Sequence, residues 1–216
     1  MTLDINLLIQ LLPIFGSAVI RTVTLVIAGL AGGLLLGFVL LILRETRNPV
    51  LGTVYWTYVA ILRGVPFLIH LFVIYFGLPV VGISLDPFMA AAIALSLYGA
   101  AYFAEIFRGC WQGISKGQIE AARCMGLSRH QVFLNIECPQ ALRAAVPLIV
   151  NQTVLLMKES ALASVITYPE LTMTAGKVVS EQFVYLEPYL MLALSYWLLA
   201  VIIQRLGSLL RKRIAD

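Results

Sequence analysis

Long runs of apolar residues dominate the chain, and short polar stretches separate them. Five runs have about the length needed to cross a bilayer as a helix, which takes roughly 20 mostly apolar residues. They cover residues 17–43, 64–81, 87–107, 144–166 and 188–206. The start of the second run is the least defined, because the preceding stretch PVLGTVYWTYVAIL is also apolar. The pattern predicts an all-α integral membrane protein: a single transmembrane domain, residues 1–216, with five transmembrane helices.

The composition supports a membrane location. Of the 216 residues, 61% are hydrophobic and 12% are charged, and the mean hydropathy is +0.94. Soluble domains carry about 25% charged residues. No Lys or Arg precedes Arg21, and the first run is too long for the apolar core of a secretory signal peptide. We therefore expect this run to remain in the mature protein as a transmembrane helix.

The basic residues are divided unevenly between the two predicted sides of the membrane. Lys and Arg accumulate in cytoplasmic loops. Only Lys177 falls on one side, and Arg21 and Lys158 lie within or beside the runs. The other twelve of the 15 basic residues share one side: Arg44, Arg47, Arg63, Arg108, Lys116, Arg123, Arg129, Arg143, Arg205, Arg211, Lys212 and Arg213. This asymmetry predicts an N-terminus outside, a cytoplasmic C-terminus and a cytoplasmic loop over residues 108–143.

Residue types that build metal, disulfide or catalytic sites are few and scattered. Cys110, Cys124 and Cys138 are odd in number and form no C-x-x-C pair, and His70 and His130 are far apart. No pattern pairs a nucleophile with a base. The sequence therefore predicts no metal site, no cofactor bound by this chain and no enzymatic activity. The net charge of +4 is explained by membrane orientation, so no nucleic acid partner is expected.

Two groups of small residues lie within the runs. Gly29, Gly33 and Gly37 recur every fourth residue, a spacing that lets helices approach closely in lipid. Glycine is also common in membrane helices generally. The stretch YGAAY, Tyr98 to Tyr102, places small residues between aromatic ones that can line a cavity or an interface. Neither pattern specifies a function.

The loop over residues 108–143 is the only long polar segment. The stretch SKGQIEAARCMG predicts a helix with its N-cap near Ser115 and its C-terminal cap at Gly126. Ile119, Ala122 and Met125 would share one face of this helix. We expect the glycine to form the turn that leads into the next helix.

A second short helix is predicted to follow the glycine. It starts near Ser128 and stops before Pro139, because the residue before a proline is disfavoured in the α conformation. Val132, Phe133 and Ile136 would lie on one face. The two helices together predict a compact structure beside the membrane.

This loop resembles the EAA loop of ABC importer permeases. The family pattern is Glu-Ala-Ala, three residues, Gly, nine residues, then Ile-x-Leu-Pro, and EAARCMGLSRHQVFLNIECP departs from it only at Cys138, where leucine is usual. Small alanines, an acidic first turn and a glycine turn suit a stiff helix that docks in a groove. An ordinary capped loop helix is the alternative. The resemblance implies ATPase coupling by Glu120, Ala121, Ala122, Gly126, Leu127, Ile136 and Pro139.

Segments along nearly the whole chain resemble the polar amino acid branch of this family, which covers histidine, glutamate, glutamine, arginine and opines. Among them are LRGVPFLIHLFVIYFGLP, AAYFAEIFRG and LLMKESALASVI. The resemblance implies a type I importer in the bacterial inner membrane. It implies two permease subunits, identical or homologous, two cytoplasmic ATPases and an extracytoplasmic binding protein that delivers the amino acid. The chain lacks a G-x-x-x-x-G-K-[ST] loop, so ATP and Mg²⁺ would bind to the ATPase partner.

Charged residues in the fourth run are candidates for the substrate pathway, because charges inside a membrane are costly and usually functional. The stretch LLMKESAL stands where the resembling family commonly has Lys-Asp-Thr-Ser-Leu. Lys158, Glu159 and Ser160 are therefore interpreted as pathway residues, together with Tyr98 and Tyr102. In the alternative interpretation, Lys158 and Glu159 extend to the outer membrane interface.

Further charged residues are interpreted as structural or as parts of a gate. Arg63, in RGVP, is expected where the second run meets the cytoplasmic interface. Glu105 and Arg108 are three residues apart on one helix face and can form an ion pair at a cytoplasmic gate. Arg21 is expected to anchor the first helix to lipid headgroups.

Two other functions remain open. An importer of methionine or an opine would differ in the amino acid that its binding protein retains. An ion channel or an ion-coupled secondary transporter is a different class, and neither gives a reason for the EAA spacing. Secondary transporters usually contain internal repeats, which the five unequal runs do not show.

Overall fold

A computed structural model describes residues 4–46 and 48–215, so Arg47, one of the basic residues counted above, lies outside the described residues. All regular elements of the described residues are helical. The α-helices are α1 (Ile5–Glu45), α2 (Pro49–Gly64), α3 (Phe67–Phe72), α4 (Pro87–Gln112), α5 (Lys116–Cys124), α6 (Arg129–Val132), α7 (Cys138–Glu159), α8 (Leu171–Gln182) and α9 (Leu186–Ala215). Val73–Gly77 and Phe133–Glu137 form π-helical turns, and Leu78–Val81 and Ser160–Ile166 form 3-10 helices.

Four helical segments are long and apolar enough to cross a membrane, and they cover residues 5–45, 87–112, 129–166 and 186–213. A fifth candidate consists of Pro49–Gly64 and Phe67–Val81, two parts related by a bend of 106°. With this bent pair as one span, the predicted all-α membrane fold with five spans is confirmed. The third and fifth spans extend beyond their apolar runs, to Gln112 and toward the C-terminus.

The first span begins at Ile5 instead of residue 17. Asp4 caps the helix, because its carboxylate accepts the N–H groups of Asn6 and Leu7 at 2.9 and 3.2 Å. The helix then continues through Pro13, and Leu11 and Phe15 on either side of the proline are buried. Packing against the rest of the protein thus extends this helix beyond the run that predicted it.

The second span bends at Val65 and Pro66. Val65 is extended, with a φ of −103° and a ψ of 138°, as the residue before a proline usually is. The span begins at Pro49 and not at residue 64, so Arg63 lies at the bend within the span. This corrects the expectation that Arg63 meets the cytoplasmic interface at the start of the span.

The fourth span begins at Arg129, and the second predicted loop helix is its first part. The predicted stop before Pro139 does not occur, because α6 continues through the π-helical turn into α7. Pro139 falls in the first turn of α7, where a missing N–H is tolerated. The connection between α4 and this span therefore covers residues 113–128 and is shorter than the predicted loop of residues 108–143.

The helix α4 is the centre of the fold and packs along α1. Its small and aromatic side chains on this face are buried, including Ala94, Ala100 and Phe103. A Cβ atom on Gly37 of α1 would lie 2.9 Å from Cβ of Phe103 and 3.1 Å from the carbonyl oxygen of Ala100. Gly29 and Gly33 of α1 approach α4 in the same way. The predicted packing face is confirmed, and only glycine allows this separation of the two backbones.

The outward faces of α1 and α9 remain apolar. Ile20, Leu35 and Trp197 are among the large apolar side chains that are more than half exposed. Contiguous exposed apolar surface on this scale is typical of proteins that contact lipid. These faces therefore fit the hydrocarbon region of a bilayer.

The short helix α8, between the fourth and fifth spans, is not predicted by the apolar runs because it is short and contains several polar residues. Its N-cap, Glu170, is fully buried and accepts the N–H groups of Thr172 and Met173 at 2.8 and 2.7 Å. The Tyr196 hydroxyl also donates to this carboxylate, at 2.8 Å. Burial raises the pKa of the Glu170 carboxyl group. These bonds attach the start of α8 to the last span.

Candidate functional site

The EAA loop, residues 113–139, contains α5, a glycine turn and the start of the fourth span. Gly126 has a φ of 83°, in the left-handed region that glycine adopts without strain. Its N–H donates to the carbonyl of Arg123 at 3.0 Å, and the N–H of Leu127 donates to the carbonyl of Ala122 at 3.2 Å. These two bonds form a Schellman motif. The predicted cap at Gly126 is therefore confirmed.

The motif residues of α5 divide into a buried and an exposed set. Ala122 is 1% exposed, whereas Glu120 and Ala121 are exposed. Met125, expected on the same face as Ala122, is 74% exposed because it is the C-cap residue at which the helix ends. Ser115 is the N-cap, but its side chain makes no capping hydrogen bond. The edge formed by Glu120 and Ala121 is open to solvent.

The helix α6 begins with a capping box, which the sequence analysis did not identify. The N–H of Ser128 donates to Oε1 of Gln131 at 2.8 Å, and the N–H of Gln131 donates to Oγ of Ser128 at 3.3 Å. Val132 is buried as its predicted face requires. Phe133 is exposed on one side, and its ring stacks on Trp111 with 5.2 Å between the ring centroids.

Side-chain contacts attach the EAA loop to α4 and α7. Nε1 of Trp111, at the end of α4, donates to the carboxylate of Glu137 at 3.0 Å. Nε2 of Gln140, in α7, donates to Oε1 of Gln118, in α5, at 2.8 Å. The remaining motif residues, Leu127, Ile136 and Pro139, are partly buried. A displacement of the loop would therefore be passed to both helices.

A cluster of charged residues, the Glu105 cluster, joins the second and third spans. Nε and Nη2 of Arg108 donate to the two carboxylate oxygens of Glu105 at 2.7 and 2.8 Å. The hydroxyl of Tyr55 donates to the same carboxylate at 2.6 Å, and Nη1 of Arg63 lies 3.7 Å from it. The predicted pair of Glu105 and Arg108 is confirmed. The two partners from the second span were not predicted.

A cavity of about 370 Å³, here called the Glu159 cavity, contains several predicted pathway residues. Glu159, Tyr98 and Tyr102 line it together with Arg63 and Phe67. The Tyr98 hydroxyl donates to the Tyr102 hydroxyl at 3.2 Å. The guanidinium carbon of Arg63 lies 5.1 Å from the centroid of the Tyr102 ring. An acidic and a basic side chain thus share one cavity.

Two of the predicted pathway residues do not line this cavity. Lys158 is exposed, and Ser160 is fully buried with its hydroxyl bonded to the carbonyl of Met157 at 2.7 Å. The α-helix ends at Glu159 and a 3-10 helix follows, so these neighbours have different surroundings. The structure brings Glu159 together with Tyr98 and Tyr102, but not with Lys158 or Ser160.

A larger cavity of about 730 Å³, here called the Gln152 cavity, adjoins the first. Both cavities are lined by Arg63 and Tyr102. Of these two cavities, Glu105, Asn151 and Gln152 line only the larger one. The two amide residues were not predicted as pathway residues. Their adjacent positions within an apolar run were a signal, since polar groups in a span usually face a cavity or the protein interior.

Arg21 contacts the segment that precedes α8. Its Nη1 atom donates to the carbonyl of Pro169 at 3.5 Å, and the Tyr168 hydroxyl donates to the carbonyl of Arg21 at 3.2 Å. Arg21 therefore connects the first span to this segment, a contact that the sequence analysis did not predict. Among the described residues, no three His, Cys, Asp or Glu side chains form a group suited to a metal ion.

Comparison with known proteins gives one family. Residues 29–216 match the model of the binding-protein-dependent transport system inner membrane component. The chain is 35% identical over 210 residues to the probable amino-acid ABC transporter permease protein YckA of Bacillus subtilis. This alignment covers 97% of this chain and 93% of that protein. It is 33% identical over 216 residues to the arginine transport system permease protein ArtQ of Bacillus subtilis, and this alignment covers 99% of this chain and 98% of that protein.

The fold is also similar to that of a solved transporter. A crystal structure of an amino acid ABC transporter with histidines contains a chain that superimposes with a TM-score of 0.92. The two chains are 32% identical, and the alignment covers 99% of this chain and 100% of the other. The similarity of the backbone therefore extends over nearly the whole described fold.

Proposed function

The chain belongs to the family of inner membrane components of binding-protein-dependent transport systems, and on this basis we propose that it imports polar amino acids as the permease subunit of an ABC importer. As a member of this family it is a membrane transport component. The cargo is inferred from relatives named as amino acid or arginine permeases. The observation that carries the proposal is the Glu159 cavity, because a carboxylate beside aromatic rings suits an ammonium group.

The partners of the chain follow from this proposal. A separate ATPase binds ATP and Mg²⁺ and docks against the EAA loop, where the exposed edge of Glu120 and Ala121 offers a small, acidic surface. A second permease subunit, identical or homologous, completes the pathway, and an extracytoplasmic binding protein delivers the amino acid. The bonds from Trp111 and Gln140 support coupling, since they transmit movement of the loop to the helices beside the cavities.

The orientation is proposed from the basic residues, with the N-terminus outside and the EAA loop in the cytoplasm. Arg63, Arg108 and Arg143 lie within the observed spans, but Lys116 and Arg123 in α5 and Arg211, Lys212 and Arg213 at the end of α9 remain on the same side. Gly117 and Gly176 are exposed, and a side chain at either position meets little or nothing. With the natural cysteines replaced, a cysteine at residue 176 should label from outside and one at residue 117 should not. External labelling at residue 117 in sealed right-side-out vesicles would contradict this orientation.

The function is tested by reconstitution. The chain is placed in proteoliposomes with its cognate ATPase and binding protein, and uptake of L-glutamine, L-arginine, L-histidine and L-methionine is measured with and without ATP. We expect uptake of at least one polar amino acid that requires both ATP and the binding protein. Uptake of methionine alone would favour the methionine importer, and uptake driven by an ion gradient without ATP would contradict the importer.

A further inference from the structure

The Gln152 cavity contains a buried amide group without a partner. Gln152 is 5% exposed, and among the described residues its Nε2 atom has no hydrogen-bond partner. A buried donor in this state costs free energy, and native proteins rarely leave one unpaired. Arg44 and His70 also carry unpaired buried nitrogens, but neither lines the Gln152 or the Glu159 cavity. Gln152 therefore lines a cavity large enough for a ligand, and its unpaired donor, which is covered in this rotamer, reaches that cavity when the side-chain amide rotates.

The neighbouring residue provides a contrast. Thr153 is also buried, but its hydroxyl donates to the carbonyl of Ile149 at 2.8 Å. It lines an apolar groove on another face of α7 with residues of α1 and α9. Its polar group is satisfied within its own helix, as is usual for threonine in a membrane span. The unpaired donor of Gln152 is thus not a general property of this part of α7.

Arg63 provides a second donor at the same cavity. Its guanidinium lies 3.7 Å from Glu105, which already has a bidentate bond to Arg108 and a bond from Tyr55. The side chain of Arg63 is 44% exposed. A guanidinium has five N–H donors, so most of those on Arg63 are left for another acceptor. The preferred partner of such a planar group is a carboxylate.

Resting on the proposed function, we propose that the Gln152 cavity is a second amino acid subsite in which Arg63 and Gln152 bind the substrate's α-carboxylate. The volume of about 730 Å³ lies within the range of small-molecule sites, which is roughly 300–1,000 Å³. Because Arg63 lines both cavities, it can hold the carboxylate while the amino acid moves out of the Glu159 cavity. After rotation of its side-chain amide, Gln152 supplies the hydrogen bond that is specific to the second position.

Substitution of Gln152 by leucine separates this role from a structural one. Leucine has a similar volume and removes the unpaired donor, so Gln152→Leu should leave the unfolding temperature unchanged or raise it. ATP-dependent uptake should nevertheless fall about tenfold, which is the loss expected for one hydrogen bond to a charged group. Thr153→Val is the matched control and should keep uptake near the parent rate. Equal uptake by the two variants would overturn the proposal.

Occupancy of the cavity can be measured through a cysteine at residue 109. Gly109 lines the cavity, and a Cβ atom there has no neighbour within 4 Å. Gly109→Cys is made in a chain whose three natural cysteines are replaced, and its reaction with a small thiol reagent is followed in the assembled complex. Labelling is measured with L-glutamine, L-arginine or L-histidine. Separate measurements use the carboxamide of each amino acid, in which a neutral amide replaces the α-carboxylate. Wild-type uptake identifies which of the three is the substrate.

We expect the transported amino acid to slow the labelling several-fold and its carboxamide to have no effect. Protection should be lost in Gln152→Leu and in Arg63→Gln. Equal protection by the carboxamide, or protection that persists in both variants, would overturn the proposal. The proposed function fails separately, if the wild-type complex shows no ATP-dependent uptake of a polar amino acid.

Discussion

The EAA loop and the Glu105 cluster both contain ionised residues, but they are built in different ways. In the loop, the glycine turn and the capping box join residues that are at most five positions apart in the chain. Glu120 is exposed, and water solvates its charge. In the cluster, the carboxylate of Glu105 receives partners that include Tyr55, 50 positions away.

The difference follows from the surroundings. In water an isolated carboxylate costs little, so an exposed motif needs only the correct local geometry. In a membrane span a charge is costly unless it is paired, and the partners must come from other helices. Substitutions of exposed side chains in the loop should therefore impair transport without destabilising the protein, whereas substitutions in the cluster should change its stability.

The largest effect on transport is expected in the loop. Glu120→Lys reverses a charge on the surface proposed to dock with the ATPase, and a like-charge contact at an interface costs several kcal/mol. We expect uptake to fall by at least about 100-fold while the unfolding temperature stays unchanged. Gly126→Asp, at a φ of 83°, should also abolish uptake. Uptake in proteoliposomes checks both variants, and normal uptake by both would remove the coupling role.

A smaller loss of uptake is expected in the Glu159 cavity. Glu159→Gln keeps the shape of the side chain but removes the charge proposed to bind the substrate's ammonium group. We expect uptake to fall by about tenfold or more, and Glu159→Asp to retain part of it. Lys158→Gln should have less effect, because Lys158 is exposed and lines neither cavity. If Glu159→Gln transports like the parent, Glu159 does not act on the substrate.

A moderate effect on stability is expected in the Glu105 cluster. Glu105→Gln leaves Arg108 and Arg63 without their carboxylate, and we expect the free energy of unfolding in detergent to fall by about 2 kcal/mol. The control is Glu181→Gln, which breaks the exposed pair of Lys177 and Glu181, 3.8 Å apart, and should change little. An equally small effect of both substitutions would mean that burial does not strengthen the cluster.

The smallest effect is expected from two glycines of α1. Gly37→Ala places a Cβ atom 3.1 Å from the carbonyl oxygen of Ala100, and α4 cannot move away without disturbing its core. We expect the free energy of unfolding to fall by about 1 kcal/mol. Gly16→Ala meets nothing within 4 Å and should stabilise the helix by up to about 1 kcal/mol. The same sign for both variants in thermal unfolding would contradict the close packing of α1 and α4.

The sequence by itself determined the features that depend on local composition. An apolar run long enough to span a bilayer has few folding options, because every backbone group in lipid must be bonded within the segment. The helix ending at Gly126 was also predictable, since its cap joins neighbouring residues. The pair of Glu105 and Arg108 was predictable for the same reason, since its partners lie one turn apart on α4.

Only the tertiary structure decided which distant residues meet. The bend at Pro66 and the packing of α2 on α4 place Arg63 beside Tyr102 and Glu105, within the span instead of at its entrance. Gln152 became a candidate because the structure leaves its amide unpaired next to a cavity. Such contacts join positions tens of residues apart, and the partner of a buried polar group depends on how the helices pack. No local pattern in the sequence contains that information.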